Sequence, residues 1–214
     1  NRPPIKGILT KAKQVPYQNA YRPQASYKGE DILEDIANII QEFKPTKIFV
    51  SHPADHNLDH RALYLFTRVA LWNLEDTLKL KPKIYPYPIH FQKWPQPPGH
   101  HPNIDLTPPD ILKDQILWKF HSLTPQEMNK KEKALKRHTS QYNSSKKYLL
   151  SFVRPNELFG DFKDVALSEK KQDILSPDGE LLFKQRVSFV GIKGIYTKID
   201  DGNIIFTIHL SRPL

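Results

Sequence analysis

"EDILEDIANIIQEFKPTKIFVSHPADHNLDHRALYLFTRVALWNLEDTL", Glu30–Leu78, carries the alternation that decides the fold. Its first part spaces Ile32, Ile36, Ile39, Ile40 and Phe43 at helical intervals. Acids come early there, where the positive end of a helix dipole favours them. "KPT" stops that helix. "KIFVS" is short, β-branched and apolar, as a buried strand is. A second long helix follows from His60, with Leu63, Phe66, Val69, Ala70 and Leu74 on its inward side. Helix, strand, loop, helix is the order of a parallel α/β sheet. In such sheets ligands gather beyond the carboxyl ends of the strands, which is where His52 to His60 falls.

Upstream, residues 1–29 are rich in Pro, Tyr and Gln, lack periodicity and read as an irregular surface segment. Downstream, "KIYPYPIHF" is a further strand whose prolines suit an edge or an irregular course. "QKWPQPPGHHPNIDLTPPD" is a proline-rich loop and "ILWKFHSL" a strand. "TPQE", Thr124–Glu127, has a Thr cap, a Pro at the first helical position and a Glu three residues after the cap, which predicts a helix through about His138. From about Asp164 apolar and polar residues alternate, and "DDGN", Asp200–Asn203, marks a tight hairpin turn. The expected organisation is an α/β domain over 1–163 and a β-rich extension over 164–214.

With 214 residues, 38% of them hydrophobic, the chain has enough apolar material for a real core. No apolar run is long enough to span a bilayer. The net charge of +9 invites a nucleic-acid partner, but the lysines are scattered or interleaved with acids, as on a solvated helix face. No nucleic-acid-binding motif accompanies them, so no nucleic-acid partner is expected. There are no cysteines, so any metal must be held by His, Asp or Glu.

"DHNLDH" offers Asp55, His56, Asp59 and His60 in six residues. They suit a metal site on a loop that a sheet positions, and equally a polar loop in which Asp59 caps the next helix. His90 and Trp94 lie on a loop that could close over a sugar, with the indole either against the sugar or packed on nearby prolines. Trp72 and Trp118 read as core.

The stretch from Lys44 to Glu75 closely resembles the second signature of the LmbE-like (PIG-L) family of zinc-dependent N-deacetylases. "VPYQNAYRP", "HFQKWPQP", "LTPPDIL", "KALKRHTSQ" and "FVRPNELF" match other family blocks in order, so the resemblance covers roughly Asn1 to Phe162. It implies a Rossmann-like three-layer sandwich with a mainly parallel sheet, followed here by an antiparallel β element. It implies zinc, or another divalent metal, held by two histidines and an aspartate. His60 matches the last of these ligands. The other two, with the general base, belong to an "HPDDE"-type motif that this chain does not contain, so the chain is expected to be the later portion of such a protein.

The expected activity is hydrolysis of an N-acetyl or other N-acyl group on a small-molecule amino sugar or its conjugate by a metal-bound hydroxide. The expected roles are His60 as zinc ligand, His56 as hydrogen-bond donor to the oxyanion, and Asp59 as the carboxylate orienting a histidine. Asn57 stands where family members often carry a further His, and joins His90 and Trp94 as an expected substrate contact. A module that binds carbohydrate or a protein partner without catalysis is the alternative.

Overall fold

The computed structural model describes residues 3–7, 10–78, 81–164, 172–175 and 192–210. It is a mixed α/β protein whose strands form three small sheets. The chain divides into two compact units, Asn1–Thr107 with Lys119–Asp161, and Pro108–Trp118 with Phe162–Leu214.

In the first unit, α1 (Gly29–Phe43) leads into β1 (Lys47–Ser51), α2 (Leu58–Leu78) and β2 (Lys83–Tyr87). β1 and β2 are parallel, in register from Lys47 beside Lys83 to Ser51 beside Tyr87. The expected strand–helix–strand unit is therefore present, with two parallel strands in its sheet. Lys44 closes α1 in the left-handed region, φ 47°, its N–H bonded to Ile40 O.

The core between the helices and β1 is built on Ile40, Ala70 and Leu74, with Leu33, Ile36, Ala37, Ile48 and Leu71 packed around it. Helical spacing selects the stripe Leu33, Ile36, Ala37 and Ile40 for that contact. Ile32, Ile39 and Phe43 fall on the neighbouring stripe and are exposed; Leu63 on α2 is exposed too, against its expected place on the inward side. Trp72 is also exposed, with the Arg68 guanidinium 5.4 Å over its ring, rather than in the core. The irregular segment before α1 is clamped to that helix by Arg22, which reaches Glu34 and Asp35, each at 2.7 Å.

β3 (Ile116–Ser122) pairs with β4 (Asn156–Phe162). Between them lie α3 (Pro125–Arg137) and α4 (Thr139–Leu150). The predicted capping box is formed: Thr124 accepts from Glu127 N, and the Glu127 carboxylate accepts from Thr124 N at 2.7 Å. The chain turns at His138 into a second helix that the spacing had not announced.

Buried polar side chains pin the proline-rich loop. Asn156 holds both backbone groups of Leu106, accepting from its N–H at 2.7 Å and donating to its carbonyl at 3.0 Å. Arg154 is fully buried and donates to the carbonyls of Ser151 (2.8 Å), Pro97 (2.5 Å) and Ile104 (3.4 Å). Burial lowers the pKa of this guanidinium. Arg154→Lys keeps the charge but loses the planar fork that reaches three carbonyls at once. It is expected to cost about 2 kcal/mol of stability in urea denaturation; an unchanged midpoint would show that the fork is dispensable.

In the second unit, β5 (Gln172–Leu175), β6 (Ile192–Asp200) and β7 (Asn203–Leu210) form an antiparallel sheet in that order. The predicted hairpin turns at Asp201 and Gly202, with φ 47° and 74°, the doubly positive turn that suits twisted strands. The alternation read over 179–191 lies outside the described residues.

Candidate metal and catalytic site

The histidine loop leaves β1 at Ser51, and the ladder with β2 runs one step further, His52 N–H to Tyr87 O at 2.9 Å. The loop then turns back through Asp55 N–H to His52 O at 3.0 Å. It meets the segment after β2 again where His56 N–H donates to His90 O at 3.0 Å. Two chain segments beyond the carboxyl ends of two parallel strands are thereby fastened together, in the place where such sheets bind ligands.

Asp55 is the hub. Its carboxylate has no exposed surface. One oxygen accepts from Asn57 N–H at 2.8 Å. The other accepts from His90 N–H at 2.9 Å and Ile89 N–H at 3.2 Å, and lies 3.1 Å from His60 Nδ1. A carboxylate only accepts, so His60 carries a proton on Nδ1, and Nε2 is the nitrogen left to meet a ligand. This is how a buried carboxylate fixes the tautomer of a histidine ligand.

The carboxylate that holds His60 is thus Asp55 and not Asp59. Residues adjacent on a helix do not face each other. Asp59 is exposed in the first turn of α2, its N–H donating to Asn57 Oδ1 at 2.9 Å. Asn57 itself caps α2, since Oδ1 also lies 3.4 Å from His60 N. His56 is exposed, its ring centre 5.5 Å from that of Phe91.

His90 comes to the same place from β2, its ring centre 5.0 Å from that of His60 with planes 30° apart. Behind it stands Tyr148 of α4, whose hydroxyl donates to Ile89 O at 2.7 Å and lies 3.2 Å from His90 Nδ1. Burial, and then the charge of Asp55, push the Tyr148 pKa well up, so the hydroxyl keeps its proton. Tyr148 stands 58 residues from His90 in sequence, and no local pattern could have paired them.

Trp94 is buried; its N–H donates to Thr107 O at 2.8 Å and its ring meets Phe91 and Phe152 edge to face. A large aromatic ring gains most by such enclosure, so Trp94 packs beneath the loop instead of offering a face at the surface. The structure brings His60 and His90 together, sets His56 at the rim, turns Asn57 to helix capping, and leaves Asp59 outside.

Among the described residues no group of three or more His, Asp and Glu side chains could by itself hold a metal ion. His60 has the chemistry of one ligand: an imidazole with Nδ1 committed to a buried carboxylate and Nε2 left over. Comparison with protein-family models, curated proteins and solved structures finds no match to this chain.

Proposed function

We propose that this protein is a metal-dependent hydrolase that removes an N-acetyl or related N-acyl group from an amino sugar or its conjugate. The observation that supports it most is His60, held through Nδ1 by the buried Asp55 at the carboxyl end of a parallel strand. On this reading α1, β1, α2 and β2 belong to a Rossmann-like three-layer sandwich of the kind the sequence resembles.

His60 would be a ligand of the metal, zinc or another divalent ion. When bound, the ion acts as a Lewis acid and lowers the pKa of water from 15.7 to about 7. Asp55 holds a proton on His60 Nδ1 and so leaves Nε2 as the nitrogen that would face the metal. His56, exposed beside it, is the donor for the oxygen of the amide as charge builds there, a contact worth roughly 10²–10³ in rate. His90 lies against His60, where the acyl group would sit.

The test is acetate release from N-acetylglucosamine conjugates by the full-length protein, with metal content measured in parallel. Wild type is expected to hold zinc and release acetate; His60→Ala should lose both, and Asp59→Ala should keep both. Binding of the conjugate without hydrolysis, in zinc-supplemented wild type, would replace this reading with a carbohydrate-binding module.

A further inference from the structure

We propose that His60 and His90 bind one divalent transition-metal ion together, each through Nε2. The proposal rests on the reading of His60 as a metal ligand and adds to it a second ligand carried by this same chain.

Hydrogen-bond counting leads there. A tyrosine hydroxyl has one proton. Tyr148 spends it on Ile89 O at 2.7 Å, so the 3.2 Å approach to His90 is a bond that His90 Nδ1–H donates. His60 Nδ1–H is committed in the same way to Asp55, 3.1 Å away. Each imidazole therefore has its Nδ1 occupied, which leaves Nε2 as the nitrogen that can coordinate a metal. Each has its Nδ1 fixed by an acceptor behind it, the buried Asp55 carboxylate or the half-buried Tyr148 hydroxyl, as metal-ligating histidines do.

The spacing agrees. Two imidazoles on one tetrahedral ion, bonded at roughly 2.0–2.1 Å, hold their ring centres about 5 Å apart, and these two stand at 5.0 Å. Both rings are half-buried and sit on separate segments, the first turn of α2 and the loop after β2, that Asp55 ties to each other. Packing alone would serve as well with a hydrocarbon ring at position 90. It would not explain two rings that both turn Nδ1 to an internal acceptor. The donor set suits zinc, copper, nickel or iron, with the remaining positions open to water or to further oxygen ligands.

Zinc affinity, measured by competition with a chromophoric chelator, decides it. Wild type is compared with His60→Ala, His90→Ala, His90→Phe and Tyr148→Phe. His90→Phe keeps an aromatic ring between His60 and Tyr148 and removes only the nitrogens, so a correctly folded variant remains if His90→Ala unfolds. Wild type is expected to bind one zinc per chain. Both His90 variants should weaken binding as much as His60→Ala does, and by more than the roughly 10- to 100-fold that loss of an outer partner costs. Tyr148→Phe should fall within that smaller range. In ¹⁵N spectra of the histidines, zinc should shift Nε2 of both residues. If His60→Ala abolishes binding while His90→Phe binds zinc as wild type does, the second ligand is refuted and the hydrolase reading stands. If no variant differs, or wild type binds no zinc, both fall together.

Discussion

Asp55→Ala is expected to lower the free energy of unfolding by about 3–5 kcal/mol, the range in which loss of a buried network falls. The carboxylate is wholly buried and takes three backbone N–H groups, from Asn57, Ile89 and His90, besides the imidazole of His60. Those donors come from two segments, one after each parallel strand, so the side chain closes the end of the sheet. A buried donor left without its acceptor costs about 1–3 kcal/mol, and relaxation of the loop recovers part of the sum. Asp55→Asn gives less relief than its shape suggests, because an amide NH₂ must then face one of the N–H groups. Urea denaturation reads the loss directly. Asp59→Ala, exposed one residue from His60, is the control and should change stability by less than about 0.5 kcal/mol. Equal stability of the two variants would remove Asp55 from its place as the tie.

The second large effect is on pH dependence. His52 is fully buried, and loss of hydration pushes its pKa down to about 4, with the nearby Asp55 charge opposing the shift. Its Nδ1 accepts from Ala54 N–H at 3.0 Å, a bond that protonation at Nδ1 would break. In the unfolded chain an imidazole titrates near 6.5. Below that pH the unfolded state gains a proton that the folded state refuses until about pH 4. The contribution is therefore complete above pH 6.5 and declines as pH falls from 6.5 toward 4. Over that window it amounts to roughly 3 kcal/mol. Denaturation midpoints from pH 7 to pH 4.5 should fall in wild type and fall less steeply in His52→Gln. Parallel slopes would place the acid sensitivity in other groups.

Local rules were enough for several elements. The capping box at Thr124 and Glu127, the hairpin at Asp201 and Gly202, and the helix–strand–helix order around "KIFVS" all formed where the residues indicated. Each depends on contacts within a few positions, or on a periodicity that one element carries alone. The inward face of α1 was less legible, because Leu33, Ile36 and Ala37 make a stripe as apolar as Ile32, Ile39 and Phe43. Which stripe is buried depends on where α2 lies.

The site divides along the same line. The sequence by itself determined that a cluster of histidines and aspartates would stand at the carboxyl end of a strand, and that without cysteine only these types could hold a metal there. It took Asp59 for the carboxylate that orients a histidine, since spacing makes Asp55, Asn57 and Asp59 all neighbours of His60. The tertiary structure decided it: Asp55 is the carboxylate that the second parallel strand encloses, Asn57 is spent on the helix end, and Asp59 faces outward. It also brought His90 against His60 and Tyr148 behind His90, partners 30 and 58 residues apart in the chain. Hydrogen-bond donors must find acceptors once they are buried, and which acceptors they find is settled only when distant segments pack together.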